Sequence, residues 1–244
     1  MDALIYSAMS GAERTLHAQQ VRANNLANAA TNGFRADLEL ARSQSVQGYG
    51  YSARHLAELQ ANAVSTRSGT LTATGRDLDA AISGDGFFAV ALGDGGAGEG
   101  YTRNGAFVVD ANGALMLNGR PVLGDGGPIV LPPHVRVAIS ENGTVSVQPE
   151  GEADLQPVDR LKLVKPEAAT LAKNTAGFVV GRDGQPLPAD DTVRVRGAHL
   201  EGSNVSAVEE MVASMGLSRD FEVHMRLFKV ADDMAANGNR LLRE

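Results

Sequence analysis

Ala23-Asn24-Asn25-Leu26-Ala27-Asn28-Ala29-Ala30-Thr31-Asn32-Gly33-Phe34 closes the first stretch of the chain, and the reading of that stretch decides the rest. Upstream of it and through it, Ile5, Met9, Ala12, Leu16, Gln19, Ala23, Leu26 and Ala30 recur at alternating spacings of four and three. That is a heptad seam with one polar intrusion, Gln19. No proline interrupts it, so the spacing predicts a helix of about 27 residues, about 40 Å long. Asn32-Gly33 stops the helix, because glycine tolerates the left-handed conformation of a helix end. Three asparagines within a helix are unfavourable by propensity. They read either as a fraying, capped end or as hydrogen-bonding groups, Asn24, Asn25 and Asn28, placed across a packed subunit interface.

The end of the chain mirrors its start. Ser214, Leu217, Phe221, His224, Phe228, Ala231, Ala235, Gly238 and Leu242 again alternate three and four. Ser206 stands three residues before Glu209, the spacing of a capping box, so a second long helix is expected from about Ser206 to Leu242. Neither helix carries enough apolar mass to stand alone. Between them, turn dipeptides recur at Asn104-Gly105, Asn112-Gly113, Asn118-Gly119, Asp125-Gly126, Asn142-Gly143 and Asp183-Gly184. Flanked by runs such as Phe87-Phe88-Ala89-Val90 and Val135-Arg136-Val137, these are hairpin signals. Residues 36–75 mix a weakly helical stretch, Leu56 to Ala63, with Ser, Thr and Gly. The expected fold is therefore α+β: a central all-β domain of short hairpin-connected strands, with long N- and C-terminal helices pairing as a coiled-coil-like bundle. Its expected parts are an N-terminal helix (1–34), an extended linker (35–76), a β-rich domain (77–200) and a C-terminal helix (201–244).

Composition narrows the function. With 244 residues, 43% hydrophobic and 21% charged, the chain is an ordinary globular one. Its net charge is −7 and it has no basic cluster, which argues against nucleic acid. Cysteine is absent, removing disulfides, thiolate metal sites and a cysteine nucleophile. Tryptophan is absent and aromatics are 5%, poor stock for a ligand pocket. No segment reaches the ~20 apolar residues of a membrane span. The opening Met1-Asp2-Ala3-Leu4-Ile5-Tyr6-Ser7 has no basic region and does not read as a secretory signal.

Motifs of chemistry fare no better. Gly93-x-Gly95-x-x-Gly98 fits a dinucleotide-binding spacing, but strands are expected on both sides, and five glycines in eight residues read as a flexible loop. His17, His55, His134, His199 and His224 share no metal-ligand spacing. Asp77, Asp79 and Asp85 cluster, but Asp85-Gly86 is turn chemistry and the other two alternate like strand-edge residues. No nucleophile elbow occurs. Asn142-Gly143-Thr144 and Asn204-Val205-Ser206 fit the glycosylation pattern and read as chance matches. The expectation is no catalytic residue, no metal and no cofactor.

The segment from Ala23 to Phe34 is similar to the N-terminal signature of bacterial flagellar rod, hook and hook-associated proteins. Gly202-Ser203-Asn204-Val205, followed by Ala207-Val208-Glu209-Glu210-Met211, resembles the family's C-terminal mark. In the middle, Gly69-x-Leu71-x-x-Thr74-Gly75-x-x-Leu78-Asp79-x-Ala81-Ile82-x-Gly84-x-Gly86-Phe87-Phe88-x-Val90 resembles the start of its β-domain. Tyr101-Thr102-Arg103-Asn104-Gly105-x-Phe107 with Asp110-x-Asn112-Gly113 resembles its next hairpin. Ala29-Ala30 and the glycine-rich loop depart from the pattern.

The resemblance implies a structural subunit of the flagellar basal body that self-assembles through its terminal helices into part of a drive shaft and export channel. It points to the proximal rod, with the distal rod or hook as the alternative within the family. A secreted β-domain binding protein is the alternative from another class. The implied partners are other rod subunits, both proximal-rod proteins and the distal-rod protein, and the flagellar type III export apparatus; no nucleic acid and no small-molecule substrate is implied. The implied location is the rod within the periplasm, reached without a cleaved signal. The residues expected at subunit interfaces are Ile5, Leu16, Asn24, Asn25, Leu26, Asn28, Gly33 and Phe34 near the start. Near the end they are Ser203, Asn204, Val205, Met211, Leu217, Phe221 and Phe228.

Overall fold

The chain was described by a computed structural model covering residues 2–45, 55–93 and 98–241. It divides into two units. One comprises 1–27, 37–62 and 206–244; the other comprises 28–36 and 63–205.

The first unit holds the two α-helices found among the described residues, α1 (Asp2–Ala27) and α2 (Ala207–Leu241). They are antiparallel: Arg22 and Asn25 meet Glu210, Gln19 meets Ser218, and Gly11 lies under the His224 ring. A two-stranded sheet, β1 (Asp37–Ser45) and β2 (His55–Val64), completes the unit. Leu56–Ala63, which reads as weakly helical, therefore lies in a strand. α2 begins as its capping spacing predicts, with the Glu209 backbone N–H donating to Ser206 Oγ at 3.4 Å.

The coiled-coil-like bundle expected of the helices does not form. There are two helices rather than a bundle, and α1 turns the wrong face inward for a heptad seam. Ile5, Met9 and Leu16, which define that seam in the sequence, are exposed. The buried face is instead Ala8, Ala12, Thr15, Ala18 and Asn25. The physical reason is close approach. Small side chains let the helix backbones draw together, and a side-chain carbon at Gly11 would collide with the His224 ring. Bulky residues on that face would hold the helices apart. Helix α1 also stops at Ala27, earlier than its periodicity suggests, and passes into turns closed by Thr31 N–H to Asn28 C=O and Phe34 N–H to Thr31 C=O.

The second unit is the expected β region. β3 (Leu71–Ala73) pairs with His199–Glu201, and β4 (Ala80–Ser83) pairs with Arg194–Gly197. β5 (Phe87–Ala91) and β6 (Glu99–Thr102) are central to a five-stranded antiparallel sheet. Its edges are Leu163–Val164 beside β5, and Val179–Gly181 then Leu171–Lys173 beside β6. The glycine-rich segment joins β5 to β6; residues 94–97 lie outside the described ones, and Leu92 N–H donates to Gly98 C=O. Three-stranded sheets at 136–160 and 108–121 close over the other side of the unit. The hairpin reading holds clearly at Asn118-Gly119. Both residues have positive φ (50° and 75°), the type I′ geometry that matches strand twist. The core gathers Phe88, Phe107, Leu115, Leu117, Val145 and Leu161, all buried, with the Phe88 and Phe107 rings edge-to-face at 5.3 Å.

Candidate assembly site: a charged clasp and a helix pair

Within the second unit, three separated segments of chain, 33–36, 65–70 and 199–204, converge on two side chains. The first is Glu201, 1% exposed. Its Oε1 accepts from the Arg35 guanidinium at 2.9 Å and from the Gly69 backbone N–H at 2.7 Å. Its Oε2 accepts from Arg103 Nη1 at 2.9 Å. Arg103 donates onward to the Gly84 carbonyl at 2.6 Å and lies over the Phe87 ring. Arg35 also donates to the Arg67 carbonyl. Two guanidiniums thus share one carboxylate, and both are 2% exposed.

Burial, then repulsion from Arg103, holds the Arg35 pKa down to about 10, with Glu201 opposing the shift. Arg103 is lowered too, again by burial first. Both remain cations at neutral pH. Such an arrangement survives only because the carboxylate and carbonyls satisfy it; removing the shared anion would leave two buried like charges.

The second side chain is Asn204. Its Oδ1 accepts from the Ala36 backbone N–H at 2.8 Å, and its amide donates to the Arg67 carbonyl at 2.8 Å and to Ser65 Oγ at 3.1 Å. Its own N–H donates to the Phe34 carbonyl, while Ser65 N–H donates to Ala36 C=O. Gly33 donates its N–H to the Glu201 carbonyl at 2.7 Å, with φ at 69°. A side-chain carbon there would strike the Asn104 backbone, so glycine is required twice over. Lys173 caps the cluster, its ammonium 3.9 Å from the Phe34 ring centre and donating to the Arg35 carbonyl.

Within the first unit, Asn25 is 0% exposed and plays the part of a missing strand partner. Its Oδ1 accepts from Asp37 N–H at 2.8 Å, and its amide donates to Asp37 C=O at 3.0 Å and to Glu210 Oε1 at 3.4 Å. One side chain thereby anchors the start of β1 and the first turns of α2 to α1. Arg22 adds an ion pair to Glu210 at 3.1 Å, and Asn24 donates to Asp37 Oδ2 at 2.7 Å. A cavity of about 650 Å³ opens between α1, α2 and β1.

The expected interface residues therefore fall into three groups. Asn24, Asn25, Gly33, Phe34 and Asn204 make contacts inside their own unit, as do Asn28, which accepts from Thr31 Oγ1, and Ser203, which accepts from Val205 N–H. Leu26, Val205, Leu217, Phe221 and Phe228 are half-buried. Ile5, Leu16 and Met211 stand exposed. Sequence reasoning missed Glu201, Arg103, Arg35, Ser65 and Glu210 as functional residues. Arg35 and Arg103 lie in motifs quoted for the resemblance, and that was the available signal.

Comparison with known proteins explains why these segments converge. Residues 5–35 match the flagella basal body rod protein family, 81–147 the D1 domain of the flagellar hook protein FlgE/F/G, and 196–241 the C-terminal region of flagellar basal body rod FlgEFG proteins. These matches define an axial protein of the flagellum. The chain is 40% identical to the flagellar basal-body rod protein FlgF of Escherichia coli and 38% identical to that of Salmonella typhimurium, over 99% of each chain. It is 29% identical to FlgG of Borreliella burgdorferi over 98% of each chain. It belongs to the family of flagellar basal-body rod proteins, in its FlgF branch.

Proposed function

We propose that the chain works by assembly alone: a structural subunit of the flagellar basal-body rod that joins its neighbours through the outward faces of α1 and α2. The observation that carries this reading is the wet apolar surface of the helices. Ile5, Met9 and Leu16 on α1, with Val208, Met211, Val212 and Met215 on α2, are between 38% and 67% exposed. Burying such surface between subunits is worth about 25 cal/mol per Å², set against the ordering of the interface. Of the expected contact residues, Ile5, Leu16 and Met211 meet neighbours directly. Asn24, Asn25, Leu26, Asn28, Leu217, Phe221 and Phe228 shape the helical unit that presents them, and Gly33, Phe34, Ser203, Asn204 and Val205 shape the clasp.

The partners are other rod subunits, among them proximal-rod proteins and the distal-rod protein FlgG. The place is the proximal rod where it crosses the periplasm. Delivery is by the flagellar type III export apparatus without a cleaved signal. An acidic chain without cysteine suits transit through an oxidising compartment. No helix among the described residues is long and apolar enough to cross a membrane.

The test is a clean deletion followed by electron microscopy of purified basal bodies. Rods arrested before the distal segment support the proximal placement. Proximal rods that complete normally, with a defect only beyond them, move the chain to the distal rod or hook. Normal basal bodies and swimming overturn the reading.

A further inference from the structure

The outward face of each helix carries a second apolar strip, interrupted by one charge. On α2 it runs through Val208, Val212 and Met215, meets Arg219, and resumes at Val223, Leu227 and Val230. The spacings are four, three, four, four, four and three, those of a helix-packing seam. The apolar members are 42% to 67% exposed. On α1 the strip runs Ile5, Met9, Glu13, Leu16, spaced four, four and three. Its apolar members are 38% to 48% exposed. Arg219 and Glu13 are both exposed and occupy equivalent places, each flanked by apolar neighbours in its strip.

A charge within an apolar seam is costly to bury unless it meets its opposite. Pairing α2 with α2 would seat Arg219 among apolar side chains or against another Arg219. Pairing α1 with α1 would do the same to Glu13. Only α1 against α2 neutralises both. Within one chain the two helices already face each other through their other sides, so the strips must meet between chains.

Resting on the rod reading above, we propose that the outward strip of α1 in one copy docks along the outward strip of α2 in a second copy, with Glu13 facing Arg219 and setting the register. Each copy offers one strip of each kind, so the contact is head-to-tail and does not close on itself. Such contacts build open helical assemblies.

The absence of cysteine makes the test direct. Met9→Cys and Met215→Cys variants of the full chain are co-expressed in the deletion strain, and purified basal bodies are mildly oxidised. The expected result is a mixed disulfide between the two variants, with neither variant linked to itself. Glu13→Arg or Arg219→Glu, added alone, lowers the cross-link at least tenfold, while the two together restore it. Thermal unfolding of each variant, unchanged from the parent, shows that the fold is intact. Linkage of Met215→Cys to itself, no linkage in basal bodies that do contain the chain, or failure of the double reversal to restore it overturns the pairing and leaves the rod reading standing. Basal bodies that lack the chain overturn the rod reading itself.

Discussion

The two units solve the problem of holding a chain together in opposite ways. The β unit buries its large side chains, Phe88, Phe107, Leu115 and Leu117, and closes its crossing segments with buried charges on Glu201. The helical unit buries small and polar residues, Ala8, Ala12, Thr15, Ala18 and Asn25, and leaves its large apolar residues in water. The first is a finished object. The second has an interior sufficient for two helices and a strand, and a surface that only further chains can finish. Marginal burial is what a subunit needs where it must associate, and complete burial is what it needs where it must keep its form under load.

That contrast can be broken. The largest effect is expected at the clasp: Glu201→Ala leaves two buried guanidiniums facing each other and costs the β unit about 3–5 kcal/mol. Calorimetry of the purified chain reads it as a lowered transition, and an unchanged transition would mean that the clasp is incidental. In the helical unit Asn25→Ala strands Asp37 N–H and C=O and loosens Glu210, at a cost of about 1–3 kcal/mol. Loss of helical circular dichroism at lower denaturant, with the β transition unmoved, is the expected signature. Ser206→Ala removes the cap of α2 and costs about 1 kcal/mol, visible in the same titration. The smallest effect on stability sharpens the comparison most. Leu16→Asp lies on the wet face of α1 and shifts stability within about 0.5 kcal/mol, yet it should keep the chain out of basal bodies as judged by immunoblot. Normal incorporation would remove α1's outer face from the assembly surface.

Much of this architecture was legible in the sequence. Turn dipeptides placed the β region, because Asn-Gly chemistry acts locally, as the φ values of Asn118 and Gly119 confirm. The inward face of α2, from Leu217 through Phe228 to Ala231, follows its spacing. The face of α1 did not. The strongest apolar period there, Ile5-Met9-Leu16, marks the side that faces away from α2, while the packed side is written in alanine, glycine and threonine. Periodicity reports where large apolar residues lie, not which partner they meet. The clasp was beyond reach for another reason. Glu201, Arg35 and Arg103 look like surface charges in a linear reading, and only the topology that brings 35, 103 and 201 together turns them inward.

The clasp also dates the completion of the molecule. Glu201 is the counter-ion of two arginines that precede it by 98 residues in one case, and by the 166 separating 201 from 35 in the other. A chain made or delivered from its N-terminus carries both cations long before it carries the anion. Until residue 201 arrives, closing the base of the β unit would bury two bare charges, so a partial chain is kept open by its own electrostatics. Length is thereby proofread: a fragment ending short of Glu201 cannot pass for the whole, and stays unfolded, open to proteases, rather than joining a shaft it would weaken.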